Sequence, residues 1–257
     1  MNVIEIKDLR MNYGQKEVLK GINLNIDRGN IIGYIGSNGA GKSTTIKILL
    51  GLVKGYSGSV YIFGNDIEDI NNKYKNKIGY VPEVAKVYES LTAREYLTFI
   101  GQVYGLSYEK SDKKARRLME ILKIEHAYES RLSSFSKGMK QKVVIISSML
   151  HNPDILFLDE PLSGLDANSV LLIKEILHKL KQEGKTIFYS SHIMEVVEKI
   201  SDRIILLDKG NIVADGNFEQ IKNTNFEGSL EEIFNQLTGF EEHSNLSDEF
   251  IKVLKEV

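Results

Sequence analysis

The nine residues GSNGAGKST, residues 36–44, decide how this sequence is to be interpreted. Three of the first six are glycines, and a single lysine, Lys42, follows them. Glycine destabilises the interior of strands and helices, so this cluster indicates a place where the bare backbone itself must approach something. The apolar run IIGYI stands directly before the stretch, and the helical pattern TTIKILL follows it.

Gly36, Gly41, Lys42 and Ser43 fit the pattern G-x-x-x-x-G-K-[ST] in the strand-then-helix context that a phosphate-binding loop requires. Backbone N–H groups can turn inward around a phosphate where no Cβ intervenes, and the helix N-terminus adds a favourable dipole. Lys42 would supply a charge for the β- and γ-phosphates, and the Ser43 hydroxyl is an oxygen ligand for Mg²⁺. The stretch predicts a nucleoside triphosphate site made of Gly36, Ser37, Asn38, Gly39, Ala40, Gly41, Lys42, Ser43 and Thr44.

A second motif, ILFLDEP at residues 155–161, places two carboxylates after four apolar residues. At the end of a buried strand, Asp159 would hold Mg²⁺ beside the phosphate loop. Glu160 would lie near the γ-phosphate, where a carboxylate can polarise an attacking water. Without the phosphate loop, the pair would be interpreted as two solvated acids at the end of a strand.

Two kinds of apolar pattern indicate an α/β fold. VIEIKDL and LKGINLNI alternate apolar with polar residues, which is typical of antiparallel strands. IIGYI, ILFL, TIFY and IILL are unbroken, as in the buried strands of a parallel sheet, and amphipathic helical patterns lie between them. We therefore expect a P-loop NTPase with a mixed sheet, in which antiparallel N-terminal strands lie on a parallel core.

The predicted domain plan has two parts. Residues 1–225 form the ATPase domain, with a helical subdomain inserted at about residues 84–150, where Thr92 and Glu95 predict a capping box at a helix start. Residues 226–257 form a short helical tail, with a second capping box at Ser229 and Glu232 and a short helix around residues 248–255.

Composition limits the classes of function. The 257 residues include 33 basic and 35 acidic side chains, so the net charge of −2 gives no general attraction to nucleic acid. Cysteine is absent, which excludes disulfides and thiolate chemistry. No apolar run approaches the roughly 20 residues that span a bilayer. If the protein works at a membrane, a partner must supply the membrane-spanning part.

Further along the chain, the motifs resemble those of an ATP-binding-cassette (ABC) nucleotide-binding domain over residues 1 to about 225. FSKGMKQK (135–142) resembles the signature segment, usually L-S-G-G-Q, and LSGLD, ending at Asp166, resembles the D-loop. SSHIMEV contains His192, which resembles the switch histidine, and GYVPE, ending at Glu83, stands where the Q-loop belongs. Tyr13 stands where the family stacks an aromatic ring on adenine.

The resemblance implies a role for each of these residues. Ser136 and Gly138, at a helix start, would face the γ-phosphate bound by a second cassette, identical or homologous, and Asp166 of the D-loop would also take part in nucleotide binding. His192 would orient Glu160 and the water, and Glu83 would join Ser43 and Asp159 at the metal. The implied catalytic set is Lys42, Glu160 and His192, with ATP and Mg²⁺ bound.

The chain departs from the family's usual pattern in two motifs. Glu83 stands where glutamine is usual, and Lys137 and Met139 stand where glycine and glutamine are usual. A glutamate can still supply an oxygen to Mg²⁺, and we expect ATP hydrolysis. With these departures, the chain resembles the subgroup of bacterial exporters that work with an ABC-2-type permease and export antimicrobial peptides or drugs.

The resemblance also implies a polytopic membrane permease as partner, and a place at the cytoplasmic face of the cell membrane. The segment 81–91 would contact the permease through Val84, Val87, Tyr88 and Leu91, unless these residues only pack the subdomain on the core. One alternative is a soluble ABC-type ATPase that acts on ribosomes or DNA. The single cassette, the lack of heptads between Lys42 and Asp159, and the net charge argue against it. Another is a sensor that binds ATP without hydrolysis, against which Glu160 and His192 argue.

Overall fold

The computed structural model describes residues 2–68, 72–223, 228–239 and 243–255, which form ten strands and nine α-helices. The strands are β1 (Asn2–Tyr13), β2 (Lys16–Asp27), β3 (Ile31–Gly36), β4 (Ser57–Ile62), β5 (Asn65–Asp66), β6 (Ile78–Val81), β7 (Ile155–Asp159), β8 (Thr186–Ser190), β9 (Arg203–Asp208) and β10 (Asn211–Gly216). The helices are α1 (Lys42–Leu49), α2 (Ala93–Val103), α3 (Tyr108–Ile121), α4 (Lys137–Met149), α5 (Ala167–Gln182), α6 (Met194–Ile200), α7 (Phe218–Lys222), α8 (Leu230–Thr238) and α9 (His243–Lys255). Short 3-10 turns occupy Asn72–Lys77, Glu125–Ala127 and Leu132–Ser134.

The strands form two sheets, which confirms the predicted combination of antiparallel N-terminal strands with a parallel core. One sheet has the order β2-β1-β4-β5 and is antiparallel. The other has the order β10-β9-β3-β8-β7-β6, in which only β10 runs antiparallel to its neighbour. Strands β4, β5, β6 and β10 were not predicted, because none of them is longer than six residues and such short segments carry little periodic signal.

The parallel sheet lies between two hydrophobic cores, which explains the unbroken apolar runs. In β7, Ile155 and Phe157 belong to the core shared with the N-terminal sheet, whereas Leu156 and Leu158 belong to the core under helices α2–α5. Successive side chains of a strand point to opposite faces, so a strand covered on both faces needs apolar residues throughout.

The segment predicted as an inserted helical subdomain, at about residues 84–150, contains α2, α3 and α4. Its first helix starts as expected: the Thr92 hydroxyl accepts a bond from the Glu95 N–H, and the Glu95 carboxylate accepts one from the Thr92 N–H. Helix α4 is followed by β7, so the chain returns from this segment to the central sheet at the strand that carries Asp159.

Two helices predicted near the C-terminus are present in the structure. Ser229 and Glu232 form the second predicted capping box, and α8 buries Leu230, Ile233 and Phe234 in the larger core. Helix α9 spans His243–Lys255 and contains the predicted helix around residues 248–255. The proposed domain boundary at residue 225 lies outside the described residues. Within the described ranges, none of the helices combines the length and the apolar character that crossing a bilayer demands.

Candidate nucleotide site

The loop from Gly36 to Thr44 connects β3 to α1, and its backbone has the conformation that glycine permits. Gly39 and Gly41 have φ angles of +81° and +113°, in the left-handed region that side chains disfavour. At Gly36, a Cβ would lie 2.2 Å from the carbonyl oxygen of Leu207. Helix α1 begins at Lys42 with no side-chain cap at Gly41, so its first N–H groups are available to an anion.

Lys42 lies folded back over this loop. Its Nζ donates to the carbonyl oxygen of Gly36 at 2.6 Å and to that of Ser37 at 3.2 Å. Burial lowers the pKa of Lys42, while the nearby carboxylates of Asp159, Glu160 and Glu83 act in the opposite direction. A triphosphate in the loop would replace these carbonyl contacts with stronger charge-assisted ones.

Asp159 ends β7 beside the loop and is held by two hydroxyl groups. Ser43 Oγ donates to Asp159 Oδ2 at 3.4 Å, and Ser190 Oγ donates to Asp159 Oδ1. Ser190 is paired with Asp159 in the register of β7 and β8, so the sheet itself brings the two together. The Asp159 side chain is buried.

Oxygen donors of the kind that Mg²⁺ requires line the cleft beside the phosphate loop. Ser43, Asp159 and Glu83 all line one cleft. In the described part of the chain, no cluster of three or more acidic, histidine or cysteine side chains has metal-binding geometry. Mg²⁺ in triphosphate sites uses one or two carboxylates together with phosphate oxygens and waters, so this donor set fits it.

Glu160 and His192 meet at the edge of the same cleft. His192 Nδ1 lies 2.8 Å from Glu160 Oε1, which also accepts the His192 backbone N–H at 2.6 Å. Ser191 Oγ donates to Glu160 Oε2 at 3.0 Å. The Glu160 side chain is 15% exposed and that of His192 is 75% exposed, so the carboxylate is fixed while the imidazole faces the opening.

The backbone at Glu160 is strained, with φ at +49°. A non-glycine residue in this region costs free energy, and it persists where surrounding contacts hold it. Here the Glu160 N–H donates to the Ser190 carbonyl at 3.0 Å, and the side-chain contacts above hold the other end. The strain aims the carboxylate at the cleft and not along the strand.

The cleft has a volume of about 1210 Å³, enough for a nucleotide. Tyr13, at the end of β1, lines it beside the phosphate loop, and its ring is half exposed, as adenine stacking would need. Sequence reasoning missed Lys16 and Val18, which line the cleft from the start of β2, and Glu89 and Lys140, which line it from the helical subdomain. The last two form an ion pair of 2.5 Å.

The predicted second phosphate site lies at the margin of the same cleft, since Lys137, which stands between Ser136 and Gly138, lines it. Ser136 caps α4, since its hydroxyl accepts the Met139 N–H at 3.2 Å, and neither Ser136 nor Gly138 is among the residues that line the cleft. Asp166 caps α5 through hydrogen bonds from Ser169, which hold the pKa of this carboxyl at about 2. Within one chain, the structure does not bring these three residues to the phosphate loop.

Several polar contacts that support the site were also absent from the sequence reasoning. Ser190 and Ser191 donate to the carboxylates of Asp159 and Glu160, respectively, and Ser37 Oγ donates to Asp208 Oδ1 at 3.1 Å. Ser190 and Ser191 precede His192 directly, and parallel strands end at one edge of a sheet. Their position at the end of a strand, directly before His192, was the signal that could have identified them.

Comparison with known proteins agrees with this geometry. The family described as ABC transporter matches residues 19–163. The linearmycin resistance ATP-binding protein LnrL of Bacillus subtilis is 37% identical over 83% of this chain and 69% of its own length. The bacitracin transport ATP-binding protein BcrA of Bacillus licheniformis is 35% identical over 87% of this chain and 72% of its own length.

Solved structures support the same assignment. A structure of the ATP-binding subunit of an ABC transporter superposes with a TM-score of 0.85 at 34% identity, covering 91% of this chain and 99% of that one. A dimeric post-hydrolysis state of an ATP-binding cassette with ADP and Pi superposes with a TM-score of 0.77 at 28% identity, covering 83% and 98%. The chain therefore belongs to the ABC transporter family, and it is an ATP-binding and ATP-hydrolysing subunit of such a transporter.

Proposed function

We propose that this subunit drives export through a separate membrane permease, by closing on a second cassette when ATP binds and reopening after hydrolysis. The observation that carries the proposal is the Glu160 carboxylate, held 2.8 Å from His192 at the edge of the phosphate-loop cleft. A carboxylate fixed there can accept a proton from a water that attacks the γ-phosphate.

Each residue of the site has a role in this reaction. The loop N–H groups and Lys42 bind and orient the β- and γ-phosphates, and Tyr13 stacks on the base. Glu160 takes the proton, and the exposed imidazole of His192 contacts the γ-phosphate. Ser43, Asp159 and Glu83 would hold Mg²⁺, which neutralises phosphate charge when it is bound.

The open side of the cleft supports a two-cassette arrangement. Ser136 and Gly138 lie at the N-terminus of α4 at the margin of the cleft. They do not line the cleft of their own chain, so they would be available to the γ-phosphate of a second cassette, with Asp166 close by. ATP bound between two subunits has a higher affinity for the closed dimer than for the open one, and that difference drives closure. The similar cassette with ADP and Pi is itself dimeric.

The segment between β6 and α2 is the proposed permease contact. Val84 and Tyr88 are 61% and 65% exposed, which leaves apolar surface for a partner. Val87 and Leu91 instead pack against the larger core, so they hold the segment in place and add little to its exposed apolar surface. An ABC-2-type permease would place this chain at the cytoplasmic face of the cell membrane.

Export is supported by the names of similar proteins. These include proteins for linearmycin resistance and bacitracin transport. A Nod factor export ATP-binding protein of Burkholderia lata is also similar, at 29% identity. The alternative, an ATPase acting on ribosomes or DNA, is not favoured by any of these names.

A trapped dimer tests the proposal. Glu160→Gln keeps the shape of the side chain but removes the base, so we expect this variant with Mg²⁺ and ATP to form stable dimers in light scattering and to co-purify with its membrane permease. Wild-type chain treated in the same way should return to monomer as ATP is consumed. A Glu160→Gln variant that stays monomeric with saturating ATP, alone and with the permease, would contradict the closure mechanism.

A further inference from the structure

Lys137 occupies an unusual position, the first residue of α4, between the two residues predicted to face the second cassette's nucleotide. Glycine is the usual residue here in the signature segment that this chain resembles. Glycine could make none of the side-chain contacts described below.

The side chain of Lys137 lies across the turn that follows Glu160. Its Cγ, Cδ and Cε lie 3.2–3.3 Å from where a Cβ on Gly164 would stand, so the stem packs directly over that glycine. Its Nζ donates to Ser163 Oγ at 3.4 Å. Both the aliphatic stem and the ammonium group of Lys137 therefore contact the turn formed by residues 160–165.

Neighbouring residues of α4 contact the same turn. The Cα of Gly138 packs on the Gly164 carbonyl so closely that an added Cβ would lie 2.7 Å from that oxygen. One helical turn later, the buried Gln141 Nε2 donates to the Pro161 carbonyl at 2.9 Å. The start of α4 and the turn 160–165 are therefore packed as one unit.

This unit leads directly to the catalytic carboxylate. The Ser163 N–H donates to the Glu160 carbonyl at 3.2 Å, so a shift of Ser163 reaches the Glu160 backbone through one hydrogen bond. Glu160 has a strained φ of +49°, a conformation that persists only where contacts on both sides hold it. Ser191 and His192 hold the carboxylate side, and the turn holds the other.

We propose that Lys137 is a positioning residue for Glu160, which fixes the turn 160–165 against the signature helix and so keeps the carboxylate aimed at the cleft. This inference rests on the proposed function, in which Glu160 activates water. It adds a connection within one chain between the helix start that faces the second cassette and the base that acts on its own nucleotide.

Steady-state ATPase kinetics of the full chain test this role. Lys137→Met keeps the stem over Gly164 but removes the ammonium, and we expect kcat to fall about threefold to fivefold while the KM for ATP stays within about twofold. Lys137→Arg, which restores a donor, should recover most of the lost kcat. Ser163→Ala should reproduce the fall, and the double variant should be no slower than either single variant.

Lys113→Met, at an exposed lysine of α3 away from the cleft, is the matched control, and thermal melting of each variant reports on folding. An unchanged kcat in Lys137→Met would overturn the proposal. A raised KM with unchanged kcat would also overturn it, because Lys137 would then bind phosphate and not position Glu160. The dimerisation experiment tests the proposed function separately. If Glu160→Gln does not dimerise while wild-type turnover and its dependence on Lys137 persist, the closure mechanism fails and the role of Lys137 stands.

Discussion

The buried hydrogen bond from Ser190 to Asp159 yields a prediction whose size follows from the structure. Ser190 is fully buried at the end of β8, and its hydroxyl donates to the carboxylate of Asp159, itself 6% exposed. Ser190→Ala removes this donor and leaves Asp159 Oδ1 buried without it. Hydrogen bonds to charged groups contribute about 1.5–3 kcal/mol, so we expect the free energy of unfolding to fall by about that amount.

For chains of this size, each 1 kcal/mol lowers Tm by roughly 2–4 °C, so the expected shift is about 3–12 °C. Far-UV circular dichroism during heating measures it, since the chain has no tryptophan for fluorescence. Ser133→Ala, at an exposed serine, is the matched control and should change Tm by less than about 2 °C.

A double-mutant cycle with Asp159→Asn isolates the pair. The loss of unfolding free energy caused by Ser190→Ala should be smaller by about 1 kcal/mol or more in the Asp159→Asn background, where the carboxylate is replaced by a neutral amide. The hydrogen bond does not stabilise the fold if Ser190→Ala has the same Tm as the Ser133→Ala control. The same conclusion follows if Ser190→Ala lowers the free energy of unfolding equally with Asp159 and with Asp159→Asn.

Three further predictions concern other parts of the molecule. Gly36→Ala should weaken binding of a fluorescent ATP analogue about tenfold or more, because the added Cβ would lie 2.2 Å from the Leu207 carbonyl oxygen; unchanged affinity would mean that this strand can move aside. Thr92→Ala should lower the free energy of unfolding by about 1 kcal/mol through loss of the α2 cap, measured by urea denaturation, and a loss below about 0.3 kcal/mol would contradict it. His151→Gln should flatten the loss of stability on acidification below about pH 6.5. Burial, together with Lys114 and Lys185, lowers the pKa of His151, while its hydrogen bond to the Ile78 carbonyl acts in the opposite direction. The neutral imidazole therefore stabilises the fold above the unfolded-state pKa, and this stability is lost as pH falls. If plots of Tm against pH are parallel for the wild-type protein and for His151→Gln, this prediction is refuted.

Local pattern was enough for much of the architecture. The glycine cluster at residues 36–41 required a loop with left-handed backbone, and Gly39 and Gly41 have it. The capping boxes at Thr92 and Ser229 start the helices that they predict, because each depends on residues only three apart. The unbroken runs of the central strands correctly indicated a sheet covered on both faces.

Contacts between distant segments were decided only by the tertiary structure. The register of β7 against β8 places Ser190 on Asp159, and the next two residues place a hydroxyl and an imidazole on Glu160. The packing of α4 on the turn 160–165 places Lys137 on Ser163, which local sequence does not indicate. Periodicity shows which face of an element is buried, but the neighbour it meets depends on the order and register of the strands. In this protein the motifs therefore identified the chemical groups of the site, while the sheet determined which side chains hold and aim them.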